Sequence, residues 1–538
     1  MLIRSSAFVA IVALVAAHSS AADFAKWRVF ETSLTAANDH PDPLAVECVV
    51  AFTSPTEVTT TTPAFWDGDR TWRVRFSPGE QGTWHWKSAC EHDKGLDGAT
   101  GTFESVNVRT LSPIGQDGPV RLSEDRTHFV RDEGDPFFWL ADTAWNGVLR
   151  SKPDDWNTYL KARRKQGFTA IQFVATQWRG GREVLPFKVF DVQNDRLTVD
   201  TDVLRDLDAK VAAINDHNLV AVPVMLWALR EDDPGQALSE AHAVRLAKYL
   251  KARWGAYDVI WFLGGDGPYK DVERWKRIGR AVFPQHETID SMHRLATLHP
   301  SGQNWVVEKF VGEPWYDFIG YQSGHGASER ELKWLTTGPP ARQWKKEPTL
   351  PIVNIEPNYE GHPAYGSGKK FTDHEVRRAA WWSLLIAPPA GVTYGNNEIW
   401  VWNEQAGPAE NHGNLRTVEP WHEGLESQGI ASMTILRAFF ESGPWTTLRP
   451  AQDLLAEQPG KDDLAKFVAA AKSNDGSRAV LYLPVGGTAK LRVGELESLN
   501  PTWFDPRTGE RSPVQTNESG VFTAPDDRDW VLEFRQEN

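Results

Sequence analysis

Eight short apolar segments alternate with amphipathic segments between residues 111 and 440, and this alternation constrains the fold more than any other feature of the sequence. The apolar segments have the length of buried parallel strands, and the segments between them carry apolar residues at helical spacing. The predicted strands cover residues 137–141, 170–175, 220–226, 259–263, 288–289 or 295–298, 318–321, 352–355 and 391–394. Together they span about the 250 residues of a (β/α)8 TIM barrel, which is the fold we predict.

A doubly wound open sheet is the competing fold for the same alternation. That fold carries a glycine-rich phosphate-binding loop after its first strand, and no such loop follows residues 137–141. We therefore prefer the barrel. The predicted helices begin at Pro153 and continue over residues 203–215, 237–253, 272–282, 328–335, 373–385 and 424–441.

The regions on either side of the barrel have the alternation of antiparallel strands. Trp72, Val74 and Phe76 alternate with arginines, and turn-forming Gly, Pro and Asp separate such runs. Similar short runs occupy the C-terminal region. We predict a signal peptide over 1–22, an N-terminal antiparallel β-sandwich over 23–110, the barrel over 111–440 and a C-terminal β-sandwich over 441–538.

Residues 1–22 have the pattern of an export signal. A single charge, Arg4, precedes an apolar stretch of about 11 residues, and small residues follow at positions 19–22. A membrane anchor is the alternative, but a spanning helix needs roughly 20 apolar residues. No later segment is long and apolar enough to span a membrane. We predict a secreted or periplasmic protein, without membrane insertion once the signal is removed.

The net charge limits the kinds of binding partner, and the cysteine content limits the possible disulfides and metal sites. The formal net charge is −14, and the loss of Arg4 with the signal makes it −15. Nucleic acid and anionic membranes are bound through clustered Lys and Arg, so neither is an expected partner. The only two cysteines, Cys48 and Cys90, could pair in an oxidising compartment, and we predict a disulfide between them. No metal-binding motif is present, so no metal or other cofactor is predicted, and the oligomeric state is not indicated.

Two carboxylates follow two of the predicted strands. Asp266 comes after the fourth strand, and Glu356 comes after the seventh. Carboxyl ends of barrel strands face the active site, and strands four and seven lie across the mouth from each other. Hydrolysis of a glycosidic bond needs two acids, one to protonate the leaving oxygen and one to attack or stabilise the sugar. Either acid alone could be a turn residue, but their joint placement favours a catalytic pair.

The neighbours of these acids fit the same interpretation. Gly264 and Gly265 would leave space for a ligand and let Asp266 project into the cleft. Tyr359 could hydrogen-bond to Glu356 or stack on the substrate. Glu360 is a second carboxylate nearby, and it ranks below Glu356 because it is further from the strand end.

The other strand ends carry amides, acids and aromatic rings, which suit ligands rich in hydroxyl groups. Any one of these side chains could instead be packed or bonded to a loop, and His299 could be a base, a sugar contact or a satisfied polar group. The candidate substrate-binding residues are Asp142, Trp145, Gln177, Trp178, Trp227, His299, Gln322, Tyr359, Tyr394 and Asn396. A Ser-His-Asp hydrolase is less attractive, because no G-x-S-x-G elbow occurs in the chain.

Several segments of the chain resemble a known family. FFWLADTAW at 137–145, IWFLGGD ending at Asp266 and IEPNYEG at 355–361 are similar to the apiosidase-like glycoside hydrolases, over roughly residues 118–440. FWDGDRTWRVRFSP at 65–78 is similar to an accessory domain often fused to such barrels. WFDPRTGE and DWVLEF near the C-terminus resemble a β-sandwich described as collagen-binding, a label to which we give little weight.

The resemblance implies a (β/α)8 catalytic domain and a retaining mechanism, with Asp266 as the acid/base and Glu356 as the nucleophile. Many retaining barrel glycosidases carry Asn-Glu at strand four, whereas this chain has Gly-Asp, so the shorter Asp266 must be positioned by its loop. The expected function is a secreted retaining glycoside hydrolase that acts on a plant or algal polysaccharide or oligosaccharide. The alternatives are a non-catalytic carbohydrate-binding barrel protein and a polysaccharide lyase, which would need a Tyr or His base beside a uronate-binding Arg or a metal.

Overall fold

The computed structural model describes residues 23–106, 118–179, 187–284, 292–409, 415, 417–492, 494–515 and 520–536. Three sequence predictions lie outside these residues. They are the signal segment over 1–22, the junction between the first two domains near 110, and the first alternative for the fifth strand at 288–289.

Eight parallel strands form the barrel, as predicted. They are Trp139–Thr143, Ala170–Val174, Val220–Trp227, Trp261–Gly265, Ala296–Thr297, Ile319–Gln322, Ile352–Glu356 and Gly391–Gly395. The hydrogen-bonded order runs from the fifth strand back to the first, then to the eighth, seventh and sixth. Every residue of these strands is buried, because side chains fill the interior and helices cover the outside.

Helices connect the strands around the outside of the barrel. The longer ones are Pro153–Lys165, Thr201–Asp216, Glu240–Trp254, Val272–Val282, Glu329–Thr337, Asp373–Leu385 and Gln428–Glu441, and the short ones are Gly147–Arg150, Pro234–Ala237, Val307–Phe310, Pro339–Gln343 and Asn397–Val401. The helix predicted from 237 begins instead at Glu240, because the Ser239 hydroxyl accepts the His242 N–H and caps the helix there. In the part of the chain that the structure describes, no helix has the length and apolar character needed to cross a membrane.

The N-terminal region is a two-sheet sandwich. One sheet contains Asp23–Ala25, Val49–Thr53, Thr59–Pro63, Gly82–Ala89 and Thr100–Val106, and the other contains Phe30–Thr35, Phe65–Trp66 and Thr71–Phe76. Aromatic rings fill the space between the sheets. Phe30 stacks on Phe103 and Phe52 stacks on Phe76, each pair with ring centroids 4.1 Å apart. These contacts across the sheets hold the sandwich together.

The C-terminal region is a second antiparallel unit. Its main sheet has the order Leu448–Pro450, Ala469–Ser473, Arg478–Leu483, Trp530–Arg535, Asn500–Phe504 and Arg511–Pro513, and a separate pair joins Thr488–Lys490 to Val521–Thr523. A small three-stranded sheet contains Arg121–Leu122, Phe129–Val130 and Pro136–Phe137. Two further strand pairs join Phe190–Gln193 to Arg196–Val199 and Gly407–Pro408 to Thr417–Val418. The predicted arrangement of a barrel with antiparallel sheets on both sides is confirmed.

The two cysteines are free thiols in this structure, so the disulfide predicted between Cys48 and Cys90 is not present. Both are buried, and they adjoin the first and last residues of two paired strands. Burial and the neighbouring thiol raise the pKa of Cys48 to about 12. The raised pKa favours the protonated form of the Cys48 thiol at neutral pH.

Side chains close the barrel between its fifth and sixth strands, where no ladder forms. The Asp317 N–H donates to the Ala296 carbonyl at 2.9 Å, and the Asp317 carboxyl group accepts the Ala296 N–H at 2.8 Å. Thr297 Oγ1 donates to the Phe318 carbonyl at 2.6 Å. Burial raises the pKa of Asp317 to about 7. These bonds replace the missing ladder and complete the ring of strands.

Buried ion pairs fasten the N-terminal sandwich to the barrel. Asp208, on helix Thr201–Asp216, accepts a hydrogen bond from Arg75 of the sandwich at 2.7 Å. It also accepts from Arg253 Nε and from Trp254 Nε1, both at 2.7 Å. The carboxylate thus compensates two buried guanidinium groups at once.

A second buried pair fastens the C-terminal sandwich. Arg377, on helix Asp373–Leu385, donates to the two oxygens of Asp529 at 2.6 and 2.9 Å. Tyr482 also donates to Asp529, at 3.0 Å. Both sandwiches are therefore held to the barrel by paired charges away from water.

Asp208→Asn should lower the free energy of unfolding by about 3 kcal/mol, because two buried guanidinium groups lose the carboxylate that they share. Among the described residues, Arg75 then keeps only Glu31 as a counter-charge, and Arg253 keeps only Asp67. Asp216→Asn is the matched control. It lies on the same helix and pairs with Arg28 of the sandwich at 2.9 Å, but its side chain is 64% exposed, so little change is expected. Urea denaturation followed by tryptophan fluorescence measures both. Equal effects of the two variants would contradict the structural role of Asp208.

Candidate active site

Asp266 and Glu356 both lie at the mouth of the barrel. Asp266 directly follows the fourth strand, and Glu356 is the last residue of the seventh. Both are buried, with 9% and 6% of their surfaces exposed. The structure therefore places the two acids where the sequence predicted them.

His299 connects the two acids. Its Nδ1 accepts the backbone N–H of Asp266 at 3.3 Å, and its Nε2 lies 3.1 Å from Glu356 Oε2. Because Nδ1 is an acceptor, the neutral ring carries its proton on Nε2, which faces the Glu356 carboxylate. His299 follows the fifth strand and is completely buried.

His325 holds the other oxygen of the same carboxylate. Its Nε2 donates to Glu356 Oε1 at 3.0 Å. His325 lies in the loop after the sixth strand and is 3% exposed. Glu356 is thus flanked by an imidazole on each oxygen, which is the environment that stabilises a buried negative charge.

The two acids have opposite pKa shifts. Proximity to His299 and His325 outweighs the desolvation of Glu356 and holds the pKa of that carboxyl well below its usual range. Burial, together with the negative charge of Glu356, raises the pKa of Asp266 to about 7. At neutral pH, Glu356 is ionised and a large fraction of Asp266 is protonated.

Arg179 is the cation beside Asp266. Its Nη2 lies 3.9 Å from Asp266 Oδ2, and its guanidinium stacks over the Trp178 ring at 5.2 Å. The backbone N–H of Arg179 donates to the buried carboxyl group of Asp233. The same carboxyl group accepts the backbone N–H of Arg230 at 2.6 Å. Asp233 therefore ties together the loops that follow the second and third strands.

The backbone positions Asp266, and the glycines before it do not act as the sequence suggested. Asp266 itself adopts a positive φ of 47°, whereas Gly264 and Gly265 do not have positive φ. A Cβ on Gly264 would lie 2.9 Å from Trp275, and one on Gly265 would lie 2.5 Å from Trp227. The interpretation of these glycines as space for a ligand is wrong, because packed aromatic rings fill that space.

Tryptophan rings form one wall of the mouth. Trp227 contacts Trp178 and Trp145 with centroids 4.5 and 5.3 Å apart, and Trp145 contacts His299 at 5.3 Å. Trp178 donates from Nε1 to Asn146 Oδ1 at 2.9 Å. All three predicted tryptophans therefore lie together beside His299, each with at most 5% of its surface exposed.

Several buried polar atoms around this mouth lack a hydrogen bond to any described residue. They are Arg179 Nε, Trp227 Nε1, His299 Nε2, Gln322 Oε1, His325 Nδ1, Glu356 Oε2 and the Tyr359 hydroxyl oxygen. His299 Nε2 and Glu356 Oε2 lie 3.1 Å apart, but their geometry is not that of a hydrogen bond. Buried polar atoms are normally hydrogen-bonded, so a cluster of unpaired ones at a strand-end mouth indicates a site for a polar ligand.

Four predicted substrate-binding residues are engaged by the protein instead. Asp142 is completely buried, with its carboxylate bonded to Arg163 and to the Tyr159 hydroxyl. Tyr394 donates to Glu360 at 2.6 Å. Asn396 caps helix Asn397–Val401, and Gln177 binds the backbone of Val189 and Phe190. Their expected contact with substrate is not supported by these positions.

Tyr359 lies close to the acids without bonding to them. Its ring is 1% exposed and packs over Gly395, whose absent Cβ would lie 2.1 Å from it. Among the described contacts no hydrogen bond joins Tyr359 to Glu356, so that part of the interpretation is not observed. Burial and the charge of Glu356 raise the pKa of Tyr359.

Sequence reasoning missed His325 and Arg179. His325 comes three residues after the sixth strand, in Gln322-Ser323-Gly324-His325, and Arg179 directly follows the predicted Trp178. A search for polar residues within five positions of each strand end would have found both. In the ranges that the structure covers, no group of three or more His, Cys, Asp and Glu could hold a metal ion.

Comparison with known families agrees with the architecture. A family model described as "Apiosidase-like, catalytic domain" matches residues 123–447. A domain of unknown function matches residues 23–91, and a model described as "Putative collagen-binding domain of a collagenase" matches residues 449–534. No curated protein matches the chain.

Solved structures share the fold. One is a glycoside hydrolase family 5 protein from Bacteroides vulgatus ATCC 8482, with 20% identity and a TM-score of 0.66, covering 78% of this chain and 94% of that chain. Another from the same organism, described as a "putative glycoside hydrolase", has 17% identity and a TM-score of 0.70, covering 96% of this chain and 100% of that chain. At such identities the similarity establishes the fold. The apiosidase-like model spans more than half of the sequence and includes both Asp266 and Glu356, so the chain belongs to the apiosidase-like family.

Proposed function

We propose that this protein is a secreted retaining glycoside hydrolase that acts on a plant or algal polysaccharide or oligosaccharide, with Glu356 as the nucleophile and Asp266 as the acid/base. One observation carries the proposal. Two buried acids at the barrel mouth share His299 and have opposite pKa shifts. Such a pair supplies an ionised carboxylate and a protonated acid at the same pH.

In the first step, the ionised Glu356 attacks the anomeric carbon of the bound sugar. The bond to the leaving oxygen breaks, and Asp266 gives its proton to that oxygen. The product is a glycosyl ester on Glu356, with Asp266 now ionised. In the second step Asp266 takes a proton from water, the resulting hydroxide displaces the ester, and both acids return to their starting states.

The electrostatics of the site suit this exchange of roles. While Glu356 is ionised, its charge helps to raise the pKa of Asp266 and keeps the acid protonated. Once Glu356 is esterified, that charge is gone, so the pKa of Asp266 falls and the group becomes an ionised base. Arg179, 3.9 Å away, would stabilise Asp266 in its ionised state.

The substrate class and the compartment are also part of the proposal. Membership of the apiosidase-like family and the fold shared with glycoside hydrolases support a carbohydrate substrate. The tryptophan wall and the unpaired polar atoms support the same class of ligand. The export pattern in residues 1–22 supports a secreted or periplasmic location.

The non-catalytic alternative is less consistent with the site. A barrel that had lost its chemistry would be expected to use its acids in structural ion pairs, as Asp142 does with Arg163. Asp266 has only a long ion pair, with Arg179 Nη2 at 3.9 Å, and its raised pKa shows that this pair does not hold it in the ionised form. A polysaccharide lyase would release an unsaturated product, and detection of one would replace hydrolysis as the proposed reaction.

Glu356→Gln should lower kcat by at least about 10³-fold, because the amide cannot act as the nucleophile. Glu360→Gln is the matched control. Glu360 lies on the same loop but accepts hydrogen bonds from Tyr394 and the Gly429 N–H outside the barrel, so its activity should stay close to that of the wild type. Reducing-sugar release from a panel of plant and algal polysaccharides measures turnover. A fully active Glu356→Gln would show that the nucleophile lies elsewhere.

The stereochemistry of the product tests the retaining assignment separately. Proton NMR of the first-formed sugar should show the anomeric configuration of the substrate, since two displacements at one carbon restore it. The opposite configuration would mean that water attacks directly, with Glu356 as a general base.

Arg179→Gln should move the basic limb of the pH profile of kcat/KM to higher pH. Activity requires protonated Asp266, whose pKa is about 7, so the wild-type rate should fall as the pH rises through that value. Arg179 lowers this pKa, and its removal should leave Asp266 protonated to higher pH. Lys270→Gln is the control, because it removes an exposed charge close to Asp266 in sequence. It should leave the pH of the basic limb unchanged. A limb that moves to lower pH with Arg179→Gln would contradict the assignment of Asp266.

A further inference from the structure

Tyr365 is an exposed aromatic side chain at the barrel mouth. It lies in the loop after the seventh strand, and 59% of its surface is exposed. Within the described ranges, the other exposed large apolar side chains are Val49, Val58 and Leu229. Isolated exposed apolar residues are common on proteins, so the surroundings of Tyr365 decide whether it has a role.

The backbone of the loop fixes the position of Tyr365. Its N–H donates to the His325 carbonyl at 2.8 Å, and it pairs with Gly326 in an isolated β-bridge. Gly366 and Gly368 adopt positive φ values of 84° and 68°, which turn the chain back on itself. Tyr365 is therefore attached to the loop that carries His325.

A row of rings connects Tyr365 to Glu356. His325 donates to Glu356 and stacks on His362, with centroids 4.1 Å apart. The Tyr365 ring meets His325 and His362 at centroid distances of 5.7 and 5.8 Å, at angles of 77° and 85°. These contacts hold the Tyr365 ring in place and leave more than half of the side chain uncovered.

The charges of the two acids affect the pKa of the Tyr365 hydroxyl group. Burial of that group and the negative charges of Glu356 and Asp266 raise the pKa of Tyr365. The hydroxyl group of Tyr365 therefore lies within electrostatic range of both acids.

We propose that Tyr365 is the platform of a sugar-binding subsite, which holds a unit of the glycan chain next to the one that Glu356 would attack. The face of an aromatic ring is electron-rich, and the C–H groups on the flat side of a sugar ring pack against it. The rings of His325 and His362 keep the platform at a fixed distance from Glu356. The link to cleavage depends on the proposed function, whereas sugar binding at Tyr365 does not require turnover.

Affinity gel electrophoresis tests the subsite directly. The probes are soluble pectin, xylan, mannan and algal polysaccharides, each cast into a native gel, with Glu356→Gln as the background to prevent degradation. Adding Tyr365→Ala should weaken retardation by about tenfold on the polysaccharide that retards the parent most. Adding Tyr365→Phe should leave it close to the parent, because the ring face is kept. Val58→Ala, a 56%-exposed side chain on the N-terminal sandwich, is the matched control and should change nothing.

Three results would overturn the subsite. They are no retardation of the parent by any of the polysaccharides, equal retardation with Tyr365→Ala, and a loss with Tyr365→Phe as large as with alanine, which would assign the binding to the hydroxyl. Thermal melting of each variant excludes unfolding as the cause of a loss.

Turnover separates this inference from the proposed function. Tyr365→Ala in the otherwise wild-type enzyme should raise KM for the polysaccharide about tenfold and leave kcat nearly unchanged. Tyr365-dependent binding without sugar release by the wild type would keep the subsite and overturn the proposed function. Sugar release with an unchanged KM in Tyr365→Ala would keep the proposed function and overturn the subsite.

Discussion

The site depends on closure of the sheet between the fifth and sixth strands. The fifth strand, Ala296–Thr297, contributes only two residues, and no ladder joins it to the sixth. The Asp317 carboxyl group and the Thr297 hydroxyl supply the hydrogen bonds that a longer strand would have made. With the ring closed, the ends of strands four and seven meet around one mouth, and His299, just beyond the fifth strand, lies between their acids.

The chemistry of the mouth follows from how one buried charge is balanced. Glu356 has an imidazole at each carboxylate oxygen, so it remains ionised despite its burial. Asp266 is equally enclosed, but the cation beside it, Arg179, is 3.9 Å away. The charge of Glu356 therefore raises the pKa of Asp266 more than Arg179 lowers it. The same residue, His299, contacts the backbone of one acid and the side chain of the other. The difference in pKa between the two acids is therefore a property of the pair. Either acid alone would have a different pKa.

The sequence predicted the strands and the two acids because both depend on local pattern. Buried parallel strands are apolar runs, and a carboxylate at the end of such a run is visible without a structure. Asp142 was misjudged because the first strand extends to residue 143, so this side chain lies within the strand and points to a helix. Gly264 and Gly265 were misjudged because the rings that fill their space, from Trp275 and Trp227, reach them only when the chain is folded. His325 lies near enough to a strand end to be a candidate from the sequence, but its contact with Glu356 is visible only once the barrel is closed.

The buried ion pairs that Arg75 forms with Asp208 and Arg377 forms with Asp529 bear on whether the three regions are separable. A boundary drawn between sequence families marks where patterns change, and it does not mark where the chain could be cut. Separating a sandwich from the barrel would leave charged groups on the exposed face of each piece without the partners that their burial required. Each sandwich is therefore joined to the barrel through buried charge pairs, and removing either one would break those pairs.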